Sequence, residues 1–276
     1  MRPNLAPVLL AGALAACAPL PRPLETSYHH ADADLSVTRI VHASLILELG
    51  ETRLMVDPWL YSGFFIRQRE PLAFRPSTLP SVQAVLLTHE HREHFDTRTL
   101  AMLAEHVPRA IAPTALRERL LALGFHDVIA LDWWASTKVG GVTITAVPAR
   151  HAVPANGYVL ASDRVRIYVA GDTRAFPGLV DVATAFPRLD VALLPVGGQR
   201  LFGVLREMNS DQAAAAAATL GARRVIPIGY GRTGGFPAYW YPGAPVRDFR
   251  AAAKAIGLDD EQIVVLEPGE SWHYYR

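Results

Sequence analysis

The chain has little that would staple, charge or embed it. It carries a single cysteine, Cys17, in 276 residues. One cysteine makes no internal disulfide and no thiolate zinc site, so any metal must be held by histidines and carboxylates. Net charge is equally scarce: +1 overall, from 27 Lys and Arg against 26 Asp and Glu. Arg2 is the only charge among residues 1–16, so the remainder is balanced. A neutral chain has no long-range field for a phosphate backbone, which argues against nucleic acid as a partner. The apolar run at residues 5–16 falls short of the about 20 residues that a membrane span needs. No repeat and no internal low-complexity linker is present. At 50% hydrophobic the chain has ample material for a core, and one domain is the simplest organisation.

The N-terminal run is built like an export signal. Arg2 gives a minimal positive start, and the apolar stretch ends in Leu14-Ala15-Ala16-Cys17. These four residues resemble the lipobox of bacterial lipoproteins, in which the cysteine becomes the lipidated first residue. The resemblance implies loss of residues 1–16, a lipid on Cys17 and attachment to the cell envelope. No Asp follows the cysteine, so in a Gram-negative cell the implied address is the outer membrane. Residues 17–34, Pro-rich and then polar, read as a tether, with His29 and His30 solvated. Residues 35–276 read as the folded domain.

From Ser36 onward, short β-branched runs alternate with helical stretches. Strands are expected at 37–49, 53–56, 84–88, 110–112, 142–147, 158–161, 166–170, 191–195, 224–228 and 263–266. Helices are expected at 97–106, 115–123, 210–220 and 246–256, the third capped by Ser210-Asp211. Strand pairs first, then strand–helix alternation, point to a layered α/β domain.

Ten histidines are spread over the chain, yet three fall within residues 89–94, His-Glu-His-Arg-Glu-His. The cluster follows the apolar run Ala84-Val85-Leu86-Leu87-Thr88, so it sits at the end of a buried strand, where α/β folds place their sites. In extended chain His89 and His91 face the same way and can converge on one ion, while Arg92 points away. Glu93 and His94, around the following turn, can address that ion or a neighbour. Imidazole and carboxylate are suitable zinc ligands without any thiolate.

This cluster resembles the His-x-His-x-Asp-His motif of the metallo-β-lactamase superfamily, and other segments match in order. Residues 40–49 with Asp57-Pro58 resemble its opening hairpin and turn. Pro148-Ala149-Arg150-His151 resembles its third-histidine segment, Gly171-Asp172-Thr173 its bridging aspartate, and Ile226-Pro227-Ile228-Gly229 its last ligand strand. Glu267-Pro268-Gly269-Glu270 resembles the closing turn. The branch most similar is that of ascorbate-6-phosphate lactonase and N-acylphosphatidylethanolamine phospholipase D. The resemblance implies an α/β fold of αββα four-layer sandwich type. It also implies a first metal site of His89, His91 and His151, with Asp172 bridging to a second site of Glu93 and His94. Asp57 would orient a ligand imidazole or make an Asx turn, and His42 would touch the site or be a satisfied strand histidine.

Two departures follow. Glu93 stands where the family has Asp, and Gly229 stands where it has its last histidine, so the second ion loses a ligand. His106, His126 and His273 offer no substitute, and one tightly bound zinc is expected, with a second ion weak. A Gly229→His change is expected to raise second-site occupancy if the strand has room. The aromatics at 59–65 and 236–241 pack onto the domain or wall the site as a lid, and Arg200, Arg206 and Arg232 bind an anionic substrate group or, as is usual for single arginines in loops, are surface residues. Gly197-Gly198 and the glycines at 231–235 read as turns, with no phosphate-loop Lys-Ser/Thr behind them. The implied function is zinc-dependent hydrolysis of a small-molecule ester, lactone, amide or phosphodiester by metal-bound hydroxide. Glu93, left free, or Asp172 would handle the proton. The alternative is a metal-binding or scaffold protein on the same fold that has lost hydrolysis with its last ligand.

Overall fold

Period-two alternation decides which faces of the strands meet. In the computed structural model, which describes residues 32–63, 65–234, 239–240 and 243–276, two large sheets pack face to face. The first runs, in spatial order, Ser271–Tyr274, Leu35–Val41, Ser44–Leu49, Thr52–Val56, Ala84–Leu86, Arg109–Pro113 and Asp127–Leu131. The second runs Arg224–Ile228, Val191–Pro195, Arg166–Val169, Asn156–Ala161, Val142–Pro148 and Ser136–Val139. Leu45, Leu47, Leu54 and Val56 meet Ile144, Leu193, Ile226 and Ile228 between the sheets. The intervening residues face outward. Ile46, Met55 and Val85 bury against Leu100 and Leu103 of the helix Thr97–Ala104. On the other side Ala192, Leu194 and Val225 bury against the helices Gly178–Ala185, Ser210–Leu220 and Pro245–Ala255. Three cores between four layers make the αββα sandwich expected from the sequence.

Several elements differ from their sequence reading. Residues 37–49 are not one strand but two, Leu35–Val41 and Ser44–Leu49, joined by a two-residue turn at His42-Ala43. No Gly, Asn or Pro marks that turn, because His42 itself takes the left-handed conformation, with φ +54°. Residues 263–266 form no strand; Ile263 makes an isolated bridge to Val225. The strand Ser271–Tyr274 closes the first sheet against Leu35–Thr38 instead. Strands Asp127–Leu131 and Ser136–Val139 and the helix Gly178–Ala185 have no counterpart in the expected list. The helix Ser210–Leu220 is capped by Asn209, in a reciprocal pair with Gln212, rather than by Ser210-Asp211.

Parallel pairing sets the place of the site. Thr52–Val56, Ala84–Leu86 and Arg109–Pro113 are parallel neighbours in one sheet, as are Arg166–Val169, Val191–Pro195 and Arg224–Ile228 in the other. Asp57, His89, Asp172 and Gly229 all follow the C-terminal ends of these strands. The buried Tyr158 hydroxyl donates to Leu87 O at 2.8 Å, and Asn156 N to Thr88 O at 3.0 Å, which locks the two halves in register.

Candidate metal centre

The segment after strand Ala84–Leu86 turns sharply, with both His94 N and Phe95 N donating to His91 O. That turn directs His89, Glu93 and His94 inward and leaves Arg92 exposed. Three imidazole nitrogens then converge. His91 Nδ1 lies 3.1 Å from His89 Nε2 and 2.9 Å from His151 Nε2. With Asp172 they form a group whose ligand atoms all lie within 4.8 Å of one another. His89 and Asp172 are buried, while His91 and His151 are partly exposed, so the group opens to solvent on their side.

Asp172 reaches this point because Gly171 holds φ +59° and lies against Thr88, whose Cβ would stand 2.8 Å from a Cβ at that position. Any side chain there would push the aspartate off the histidines. His151 is tied to the same turn. Arg150 N donates to Thr173 Oγ1 at 2.9 Å, and Arg174 N donates to Arg150 O at 2.9 Å.

Asp57 organises the buried side, itself at φ +43°. Its carboxylate accepts from Thr88 N at 2.8 Å, from Thr88 Oγ1 at 2.6 Å and from His94 Nδ1 at 2.8 Å. Thr88 Oγ1, its hydrogen spent on Asp57, accepts from His89 Nδ1 at 2.9 Å. His89 therefore carries its proton on Nδ1 and presents a bare Nε2 to the cluster, while the bond to Asp57 orients the His94 ring, which is how outer hydrogen bonds prepare metal ligands. His42 is prepared alike. Its Nδ1 donates to Tyr230 O at 2.9 Å, and its buried Nε2 has no hydrogen-bond partner. His42 thus sits in the turn between the first two strands, facing His94 and Glu93, rather than within a strand.

Electrostatics favour a cation among these groups. Burial holds His89 well below the usual imidazole range, and the neighbouring imidazoles His94 and His151 deepen the shift. His91 falls to about 4, mainly through burial and then His151. Both are neutral donors near pH 7. Burial also opposes charge on His94, but Asp172 and Asp57 outweigh it and raise that ring to about 10. Burial would raise Asp172, yet His94, His89 and His151 hold its carboxyl well below the usual carboxylate range. Its Oδ1 is buried without a hydrogen-bond partner. Three lone pairs and an unpartnered carboxylate oxygen fit one divalent ion. Since His91 takes up a proton only near pH 4, bound metal is expected to survive acidification from pH 8 to about 5.5. Metal should then be lost as the pH nears 4, whereas an ordinary imidazole would begin to compete near about 6.5. Elemental analysis of desalted samples checks this.

The family model for the β-lactamase superfamily domain matches residues 52–230, which span all of these side chains except His42. The chain belongs to the metallo-β-lactamase superfamily. A metal-dependent hydrolase of Pyrococcus furiosus is 32% identical over 249 residues, covering 86% of this chain and 98% of that protein. Among solved structures, a metallo hydrolase of Ignicoccus hospitalis superposes with a TM-score of 0.70 at 22% identity, covering 88% of this chain and 99% of that one. A diiron β-hydroxylase of Streptomyces venezuelae gives 0.70 at 18% identity, covering 89% of this chain and 55% of its own. As a member of this superfamily, the chain is a metal-dependent hydrolase.

Three expectations from the sequence need correction against the geometry. Glu93 is not left free: its Oε1 is ion-paired with Arg232 Nη1, and both side chains are buried. Arg232 is therefore no surface residue. Gly229 is poorly suited to a histidine. It sits at φ +77°, and a Cβ there would stand 3.2 Å from Pro195 Cβ and 3.5 Å from Glu207 Oε2. A histidine at 229 is strained before it reaches any ion. Glu207, which the sequence reading passed over, is fully buried in the space beside Gly229, with Gln199 N donating to its Oε1 at 3.1 Å. Burial and then the nearby Asp172 raise its carboxyl well above the usual range. Of the other histidines, His273 is bonded to Ser36 in the closing strand and His106 is exposed. Trp59 is fully buried with its ring edge against His42, so it packs rather than lids. Phe65 is exposed, and residues 236–238 and 241 lie outside the described set.

Proposed function

We propose that the chain is a zinc hydrolase, anchored to the cell envelope by a lipid on Cys17, that cleaves an ester, lactone, amide or phosphodiester bond of a small-molecule substrate. The observation that carries the zinc reading is the convergence of His89 Nε2, His91 Nδ1, His151 Nε2 and Asp172, three neutral imidazoles and one carboxylate. That donor set suits zinc in four- or five-coordination with an open position. When bound, the ion polarises the acceptor oxygen and lowers the pKa of a coordinated water toward neutrality. Asp172 is ionised at neutral pH; one of its two unpartnered carboxylate oxygens would hold the ion, and the other takes the proton of the attacking water. It returns that proton to the leaving oxygen or nitrogen as the bond breaks. Glu93, neutralised by Arg232, is the poorer base. Substrate enters past His91 and His151, the partly exposed pair.

The reading is tested on protein purified without added metal. Elemental analysis is expected to find zinc, and a screen of lactones, esters, amides and phosphodiesters to find turnover lost on chelation and restored by zinc. Iron in place of zinc overturns the metal assignment. Bound metal with no turnover on any class supports the alternative, a metal-binding protein that has lost hydrolysis. Among the described residues no helix is long and apolar enough to cross a membrane, and Cys17 lies outside them. A Cys17→Ser change is expected to release the protein from membranes or leave residues 1–16 uncleaved. Intact mass showing an unmodified terminus at another residue overturns the anchor.

A further inference from the structure

We propose that Arg232 is the built-in second cation of the metal centre: its guanidinium, paired with Glu93, stands where a second divalent ion would bind and restricts the centre to one ion. This rests on the reading that His89, His91, His151 and Asp172 hold the first.

A second set of donors is assembled next to that site. His42, Glu93 and His94 present ligand atoms within 4.8 Å of one another, and His94 Nε2 is 3.2 Å from Asp172 Oδ2. His42 Nε2 is buried without a hydrogen-bond partner, its lone pair fixed in place by the Nδ1 bond to Tyr230 O. The residues would serve a metal but for one contact. Glu93 gives its Oε1 to Arg232, and the two side chains are only 2% and 1% exposed. A guanidinium cannot shed its charge when buried, so Arg232 sets a fixed positive charge against Glu93. The same positive charge also disfavours protonation of His42, after burial the strongest influence on that ring.

Arg232 is held there by backbone, not by a loose loop. It opens the strand Arg232–Gly234, which pairs with Ile66–Gln68, Arg232 facing Gln68, and Arg69 N donates to Gly231 O at 2.8 Å. The segment that lacks a ligand side chain at Gly229 thus delivers a cation three residues later. Both changes act in one direction. A divalent ion among His42, Glu93 and His94 would face the guanidinium across a few ångströms of low-dielectric interior, with its carboxylate already neutralised.

Zinc is loaded in excess, the samples are desalted against a weak chelator, and zinc per chain is measured for the wild type, Arg232→Lys and Arg232→Met. The wild type and Arg232→Lys are expected to keep about one ion, and Arg232→Met about two. Cobalt in place of zinc should add a second absorption signature in Arg232→Met alone. Adding His42→Ala to Arg232→Met should return the count to about one. If methionine prevents folding, Arg232→Gln carries the same expectation with a polar side chain. Two ions in the wild type, or one in a folded Arg232→Met or Arg232→Gln, overturns the proposal. No ion in the wild type overturns instead the first-site reading on which it rests.

Discussion

Replacing His89 or His91 by alanine is expected to remove most of the bound metal and, with it, hydrolysis. Each ring supplies one of the three imidazole nitrogens that meet within 3.1 Å of His91 Nδ1 or are that atom. Loss of an outer partner of a metal ligand typically costs 10–100-fold in affinity, so loss of a ligand itself should exceed about 100-fold. Stability supplies a second readout. Metal that binds only the folded chain raises its melting temperature, so chelation should lower that of the wild type and leave the His89→Ala and His91→Ala variants unmoved. Arg92→Ala, altering an exposed side chain in the same turn, should bind metal and respond to chelator as the wild type does. Wild-type metal content in either histidine variant would show that the centre lies elsewhere.

The second large effect is expected at Asp57, which touches no substrate. Its carboxylate accepts three hydrogen bonds in a fully buried place, and through Thr88 it fixes the proton of His89 on Nδ1. Asp57→Ala leaves Thr88 N–H and the His94 ring without their acceptor and frees His89 to take the wrong tautomer. A loss of about 3 kcal/mol is expected from the buried unsatisfied groups, or roughly 10 °C in melting temperature for a domain of this size. Metal affinity should fall about 10–100-fold. Asp57→Asn retains an oxygen for Thr88 N–H and should recover part of the stability. Calorimetry with metal titration separates the two losses. A variant that melts early but binds metal as tightly as the wild type would reduce Asp57 to a purely structural residue.

The sequence by itself determined a layered α/β domain and the histidine run at its centre, and its resemblance to the superfamily implied the sandwich and the first donor set. Alternating apolar strands, the helices that follow them and the run His89-Glu90-His91-Arg92-Glu93-His94 after a buried strand are local patterns. Local patterns survive folding because each is read within a few residues. Gly171-Asp172 and His151 were legible only through the resemblance to the superfamily, because a Gly-Asp pair or one histidine after a strand says little by itself. The rest depended on which polar side chains from distant segments are buried together. His42 looked like a strand residue because no glycine or proline announced its turn, and only the bond to Tyr230 O, 188 positions away in the chain, turns its ring into the centre. Arg232 looked like a surface residue because nothing near it in sequence calls for burial. Glu93, delivered by the other sheet, supplies the charge that makes burial tolerable. Glu207 and Gly229 are likewise adjacent only because the carboxylate occupies the space beside a residue at φ +77°. Periodicity in one dimension fixes which face of a strand is apolar. The partner of a buried charge is fixed by the packing of two sheets, and that is decided only in three dimensions.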